Sequence, residues 1–444
     1  MGNSAANLAA FLFHGVRIAV ATYLIPRLQT PFDTAVNLPG SKSIALRQLA
    51  MAALVEATTT VTGVPPCDDV DAMLDCLAAL GVQVATTGTT VELRGPLRRE
   101  GDVSLNARMS GASTRLLIGL AALRRGRTTL DGHPSLRRRT NAPLYEALTR
   151  CGCRVEGTDE GLPVTIQGPM QVHDEIVIDG SLSSQYISAI LLIAPYLKNE
   201  GATRIRITGD LVSAPYVNIT LNEMAKRGIS ASWPAENLLE VPAGSYRDGR
   251  IAVEGDATAA TYFTALATLH GSRVRLTNLG GSSRQGDTGF NAVMEALGAQ
   301  VTVTAHETEV AGPVALDDLP SIDMTAMPDA ALTLIAMAPM IPGDTLITGL
   351  QSLHHKECDR LTCPATEFAA WGVAAETTHD TIRLPQAHDV AALPAYTMNT
   401  YHDHRMAMAF SLPGSLSGRL SVDEKTVVGK TYPAFWQDYE ALGS

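Results

Sequence analysis

The sequence predicts an α/β repeat protein, six copies of one unit divided between two domains, and three observations carry that expectation. The first is length: 444 residues exceed the roughly 250–300 at which a single hydrophobic core stops growing, so two domains of about 200 residues are expected. The second is a helix-like stretch that ends in glycine and is followed by short apolar-polar alternation, in AALGVQVATT, TRCGCRVEGT, AKRGISASWP, EALGAQVTVT and AAWGVAAETT, with YEALGS closing the chain. These glycines, Gly81, Gly152, Gly228, Gly298, Gly372 and Gly443, are separated by 71, 76, 70, 74 and 71 residues. The third is a second register some 20 residues earlier, where a β-branched run stops at Gly63, Gly132, Gly209, Asn278, Gly349 and Asp423. Any α/β protein yields helix, glycine, strand punctuation; two registers that hold through five intervals require a repeat.

Each unit reads as strand, loop, helix, strand, loop, helix and hairpin, with the closing glycine as the helix C-terminal cap. A three-and-three division falls in the polar turn Gly244 to Gly249. The first loops of the units are GSKS, SGAS, SLSSQ, EGDATAA, MPDAA and HDHRM, and the second loops are CDDVD, SLRRRT, SAPY, RQGD, HHKECDR and VVGKTYP. The distinctive polar residues therefore sit in loops at equivalent places, and clefts between domains are where such loops close on ligands.

Composition narrows what those ligands are. Apolar residues make up 45% and charged residues 18%, and the formal net charge of −11 argues against a nucleic-acid or acidic-membrane partner. The six cysteines lack a CxxC pair, as expected of reduced thiols in a cytosolic protein without a structural zinc. No apolar run reaches the ~18 residues of a bilayer span, and the weakly apolar start lacks the charged leader of a signal peptide. Residues 1–22 are read as an extension. His354, His355, His402 and His404 are adjacent or alternate, pointing apart at helix starts, so no metal site is expected.

Every first loop opens a helix, whose free N–H groups and dipole favour an anion. Lys42, Ser43 and Arg47 reach one ligand because helical side chains lean toward the N-terminus, and Lys356 and Arg360 repeat the four-residue spacing beside Glu357. Together the loops gather Lys42, Arg47, Arg139, Lys356, Arg360, Arg405 and Lys430, a local basic set in an acidic chain. Their neighbours are mostly Gly, Ser and Gln, which suit phosphate and carboxylate oxygens. Asp329 and Glu357, acids in loops that face this set, are the proton-transfer candidates. Arg137 and Arg138 are read as a solvated basic face.

LPGSKSIALR, DGSLSSQY, GDLVSAPYVNITL, VEGDATAATYF, MPDAALT, KECDRL, DHRMAM and GKTYP resemble the signature blocks of the enolpyruvyl transferases, and within them the branch that acts on shikimate 3-phosphate. The resemblance runs from about Val20 to the end. It implies two inside-out α/β domains, each of three βαβαββ-like repeats, with the active site in the cleft between them. Residues 1–40 with 250–444 would form one domain and 41–249 the other, hinged near Pro39 and Gly249 and closing on substrate. It further implies a cytoplasmic, monomeric enzyme of the shikimate pathway that moves the enolpyruvyl group of phosphoenolpyruvate to the 5-hydroxyl of shikimate 3-phosphate, without cofactor or metal.

Residue by residue, the resemblance assigns shikimate 3-phosphate to Lys42, Ser43, Arg47, Ser183, Ser184, Gln185, Ser213, Tyr216, Asp329 and Lys356. Phosphoenolpyruvate falls to Lys42, Gly111, Arg139, Gln185, Arg360, Arg405 and Lys430, and catalysis to Lys42, Asp329 and Glu357. Each substrate carries roughly three negative charges, so seven cations suit two anions better than one.

The second unit departs most from the family: Met109, Ala112 and Leu116 replace its Asn, Thr and Pro, while Gly111 and Arg115 remain. Elsewhere Leu46 and Ser352 each replace an Asn, and His354 an Arg. The related UDP-N-acetylglucosamine enolpyruvyl transferases would show Lys-Asn where Lys42-Ser43 stands and a cysteine in the second-unit loop. A paralogue acting on another phosphorylated cyclitol and a non-catalytic binding protein of the same fold are the other readings, the last opposed by the presence of Asp329, Glu357 and every cation.

Overall fold

The structure is a computed structural model that describes residues 22–97, 100–158, 160–198 and 200–443; the expected extension at 1–22 lies outside it except for its last residue. The described residues form an α/β protein of six small mixed sheets. In each of five sheets, two parallel strands are followed by a hairpin that adds antiparallel beside the second. In one, Val103–Asn106 runs parallel to Gly126–Asp131. The helix Gly111–Ala122 lies between them in sequence, and Arg154–Gly157 and Val164–Gly168 form the hairpin. Gly81, Gly152, Gly228, Gly298 and Gly372 are all left-handed, with φ between 82° and 95°, as a helix-ending glycine requires.

The sixth sheet departs from the expected unit. Tyr396–Met398 and Leu420–Val422 run parallel, and among the described residues no hairpin follows them in this sheet. Tyr23–Leu24, from the start of the chain, takes the antiparallel place. Gly443 accordingly is not among the left-handed glycines.

A strand exchange joins the halves. Asp33–Val36, which precedes the first-unit helix, pairs with Arg273–Leu276. Gly249–Ala252, which precedes the fourth-unit helix, pairs with Thr58–Thr62. The two crossing segments run side by side, with Ser41 N–H donating to Glu254 O (2.7 Å) and Asp256 N–H to Pro39 O (2.9 Å). Gly40 is required there, because a Cβ would sit 1.7 Å from Gly63 O. Buried apolar side chains fall into two clusters, one from Ile44 to Val253 and one joining Ile25–Leu38 to Ala257–Leu442.

Each unit buries one inner helix: Lys42–Ala52, Gly111–Ala122, Ser184–Ile193, Ala257–Leu269, Ala331–Met337 and His404–Ala409. These are buried on nearly every face, which is why their apolar residues run on without a clear stripe. Gly119 and Ala189 bring two of them so close that a Cβ at Gly119 would lie 2.6 Å from Ala189 O. No helix of the described residues is long and apolar enough to cross a membrane.

Candidate active site

All six inner helices begin at one cavity of about 540 Å³, lined by residues anchored in both cores. A helix that follows a strand in a parallel pair starts at the strand's carboxyl end, so the repeat brings six helix starts together. Ser110, Ser183, Asp256 and Asp403 cap four of them, accepting from the N–H groups of Ser113, Gln185, Ala259 and Arg405. Positive helix ends and free N–H groups thus surround the space before any charged side chain is counted.

The two carboxylates singled out in the sequence are each wrapped in cations. Asp329 Oδ1 lies 3.1 Å from both Lys356 Nζ and Arg360 Nη1, and Oδ2 lies 3.4 Å from Arg405 Nη2 and accepts from the Tyr216 hydroxyl at 2.8 Å. Glu357 meets Arg360 Nη2 at 2.7 Å, Lys430 Nζ at 3.0 Å and Arg139 Nη1 at 3.6 Å. Burial alone would push both pKa values up. Lys356, Arg405 and Arg360 around Asp329, and Lys430, Arg360 and Arg139 around Glu357, outweigh it and hold both well below the usual carboxylate range. Both are therefore ionised at neutral pH, and the same cations weaken them as bases for as long as they stay paired. Lys42 Nζ pairs with Asp69 at 2.9 Å; burial opposes its charge, and Asp69 more than restores it.

Arg47 and Arg115 differ from those cations, because among the described residues neither has a carboxylate within ion-pair distance. Arg47, 4% exposed, donates to Thr220 Oγ1 (2.7 Å), Ser43 O (2.8 Å), Ser188 Oγ (3.1 Å) and Tyr216 O (3.2 Å). Arg115 donates to Gln185 Oε1 (2.9 Å) and Thr140 O (3.3 Å), and stands over the Tyr186 ring. Burial lowers both to about 10, which leaves them charged. A charge that no counter-ion neutralises at the wall of a cavity is a receptor for an anion.

Gly111 lies against the guanidinium groups of Arg139 and Arg115. A Cβ there would sit 2.6 Å from Arg139 Nη1 and 2.8 Å from Arg115 Nη1. Ser43, Ser183, Ser184, Gln185 and Ser213 line the same wall. Ser213 is left-handed at φ 54°, an unfavourable conformation for a residue with a Cβ, at the start of the helix Ala214–Lys226. Lys430 borders a smaller adjoining cavity that it shares with Arg139 and Glu357. The structure thus brings every residue named from the sequence to this cavity or its immediate edge.

Several participants were not named. Asp69 holds Lys42; Asp256 accepts from Lys42 N–H at 3.1 Å; Asp403 clamps Arg360 at 2.7 and 3.0 Å. His404, 1% exposed, lies 3.3 Å from Asp403 Oδ1 without hydrogen-bond geometry. Burial, then Arg405, Lys430 and Lys42, keep its ring neutral. Arg138, read as solvated, is exposed and lines the cavity. Arg137 is exposed as well, in an ion pair with Asp131 at 2.6 Å. Among the described residues no group of three His, Cys, Asp or Glu is placed to hold a metal ion.

Comparison with known proteins gives this cavity its context. The chain is 36% identical over 421 residues to 3-phosphoshikimate 1-carboxyvinyltransferase of Yersinia pseudotuberculosis serotype O:3 (strain YPIII), covering 92% of this chain and 95% of that protein. It is 36% identical over 426 residues to the enzyme of the same description from Ralstonia pickettii (strain 12J), covering 93% and 98%. In fold it matches the EPSP synthase of Acinetobacter baumannii, with a TM-score of 0.75 at 24% identity over 95% and 98% of the two chains. It also matches the enolpyruvyl transferase NikO of Streptomyces tendae, at 0.74 and 16% identity over 94% and 96%. Residues 26–439 match the sequence family of EPSP synthase (3-phosphoshikimate 1-carboxyvinyltransferase), and with more than nine-tenths of its length aligned to curated members the chain belongs to that family.

Proposed function

We propose that the cavity performs its family's reaction, moving the enolpyruvyl group of phosphoenolpyruvate to the 5-hydroxyl of shikimate 3-phosphate and releasing phosphate. The protein is on this reading a transferase of the shikimate pathway, which leads to the aromatic amino acids. The observation that carries the reading is the pair of carboxylates, Asp329 and Glu357, each wrapped in cations, beside two arginines that among the described residues have no carboxylate within ion-pair distance. Two buried anion receptors and two held bases are what joining two acids requires.

Shikimate 3-phosphate is taken by Ser43 and Arg47 at its carboxylate and by Ser183, Ser184, Ser213 and Lys356 at its phosphate. Tyr216 lies under the ring, and Gln185 and Asp329 are at its hydroxyls. Phosphoenolpyruvate lies against Lys42, Gly111, Arg139, Gln185, Arg360, Arg405 and Lys430. Asp329 takes the proton from the 5-hydroxyl as its oxygen bonds to C2 of phosphoenolpyruvate, and C3 gains a proton from Glu357. For that donation Glu357 must first be protonated; an anionic substrate that draws Lys430 and Arg139 to itself raises the pKa they hold down. In the second step C3 returns the proton to Glu357, the C2–O bond to phosphate breaks, and the departing phosphate gains the proton that Asp329 took from the hydroxyl, with Lys42 assisting the departing group. The cations neutralise charge as it moves, so no cofactor is needed.

Two domains support this chemistry, residues 1–40 with 250–444 and residues 41–249 as the resemblance implies, except that Gly249–Ala252 completes a sheet of the second of these and Val253 packs in its core, so the boundary falls after them; each domain is an inside-out set of three βαβαββ-like repeats. The paired crossing segments at Pro39–Ser41 and Glu254–Asp256 serve as the hinge. Mixing the protein with shikimate 3-phosphate and phosphoenolpyruvate is expected to release inorganic phosphate, and Glu357→Gln to lower kcat about 10²- to 10⁴-fold with shikimate 3-phosphate binding retained. Absence of turnover with this pair of substrates sinks the reading.

A further inference from the structure

We propose that His354 is a positioning residue that works as an imidazolium, pinning the segment that carries Lys356, Glu357 and Arg360, so that loss of its proton as the pH rises loosens the site. The proposal rests on the reading of that segment as substrate-binding and catalytic.

His354 ends in two hydrogen bonds to groups that can only accept. Its Nδ1 lies 2.9 Å from Asp359 Oδ2 and its Nε2 lies 2.7 Å from the backbone oxygen of His379. A neutral imidazole has one N–H and can serve one of these; in either tautomer the other nitrogen turns a lone pair toward an acceptor. Only the doubly protonated ring satisfies both. The ring is also stacked on that of His379, 5.0 Å away at 14°. Asp359 from its own segment and His379 from the hairpin are the titratable groups that face it.

Both anchors are fixed. Asp359 Oδ1 accepts from Leu361 N–H (3.1 Å) and Thr362 N–H (3.0 Å), and Oδ2 from Thr362 Oγ1 (2.8 Å), which ties it to the start of the helix Thr362–Trp371. Burial works against its charge, but the Thr362 amide, His354 and the remaining donors hold its pKa at about 2. His379 sits in the turn between Glu376–Thr377 and Ile382–Leu384, strands paired in one hairpin. The imidazolium thus bridges the hairpin to a helix start, and Lys356, Glu357 and Arg360 hang from the stretch that it spans. Where the family resemblance places an arginine, a cation with several donors that does not titrate near neutrality, this chain has a side chain that does.

The hydrogen bond to Asp359 raises the pKa of His354, with burial opposing and the His379 carbonyl and the Asp359 charge adding to the rise. For a group raised on folding, the bridge is complete below the ordinary histidine value of about 6.5 and is lost as pH rises through the elevated one. The affected window lies above the ordinary histidine value of about 6.5.

The test combines the pH profile of phosphate release with a readout that does not need turnover. His354→Arg is expected to keep activity at about pH 6.5 and to remove the fall as the pH rises above it. His354→Gln, which donates to one partner, is expected to raise KM for shikimate 3-phosphate about tenfold with kcat less affected, and to show the same flattened profile at this lower level. A Gln variant with the unaltered protein's KM and pH profile overturns the proposal. In the unliganded full-length chain, nitrogen NMR of the His354 ring is expected to show the ring mostly with two protonated nitrogens at about pH 6.5, and a mostly neutral ring there overturns the proposal even in a chain that turns over. A charged ring in a chain without turnover supports the bridge and overturns the reaction assigned to the site.

Discussion

Arg47 has its guanidinium protons directed at two hydroxyls and two backbone carbonyls, none of which carries charge. Its burial costs free energy that no ion pair returns, so its replacement should weaken ligand binding far more than folding. Arg47→Met, which keeps most of the apolar stem, is expected to raise the dissociation constant of shikimate 3-phosphate by about two to three orders of magnitude while the thermal midpoint moves little. Calorimetric titration with shikimate 3-phosphate alone checks this, and unchanged affinity would show that the arginine is structural. At this scale the sequence was informative where a residue's chemistry is unusual for its surroundings. Cations beside Gly and Ser at helix starts stand out, and Lys42, Arg47 and Arg405 do line the cavity. Asp69, Asp256 and Asp403 did not stand out. An aspartate at or near a helix start has the bland explanation of a cap, and the second task of each, holding Lys42 or Arg360, depends on residues brought near by the fold. His404 was legible only as one of four histidines; its neutrality comes first from burial and then from three cations in other units or later in its own.

The helix Gly111–Ala122 shows what an element adds. Its N-terminus faces the cavity because it follows the strand Val103–Asn106, and its first residue has no side chain because Arg139 and Arg115 occupy that space. Gly111 is not a left-handed residue, so the case for glycine is steric and local. A methyl group there need only push the ends of two flexible arginines, which makes Gly111→Ala cheap for the fold and costly for whatever Arg139 holds. The expected outcome is a rise of about tenfold or more in KM for phosphoenolpyruvate, with KM for shikimate 3-phosphate and the thermal midpoint nearly unchanged. Steady-state kinetics with each substrate varied in turn separates the two; equal rises in both constants would mean that the whole cavity wall had shifted. The closing glycines were legible because a left-handed helix ending is written in one residue. The strand exchange was not, since Asp33–Val36 reads the same whether it pairs with Thr58–Thr62 or with Arg273–Leu276, and hydrogen-bonding partners some 240 positions away leave no mark on a strand's own pattern. The family resemblance, not the alternation of residues, pointed to it.

For the whole molecule, the two apolar cores are joined by paired crossings at Gly40 and Gly255 and, across the cavity, by a few polar contacts. Tyr216 hydroxyl donates to Asp329, Arg139 meets Glu357, and Arg139 Nη2 donates to His355 O at 3.4 Å. These bridges are made by the side chains assigned to the substrates. A ligand that takes Arg47 and Ser183 from one core and Lys356 from the other therefore becomes part of the connection between them. In the free protein the cores are expected to unfold as separable units, whereas shikimate 3-phosphate, bound to both, couples them. At a concentration near one hundred times its dissociation constant it contributes about 2.7 kcal/mol, which for units of this size moves a midpoint by roughly 5–10 °C. Scanning calorimetry should show two overlapping transitions without ligand that merge and rise with it. If one transition alone rises while the other stays in place, the ligand sits on a single core and the cleft is not where the two substrates meet; if neither moves, shikimate 3-phosphate is not what this cavity binds.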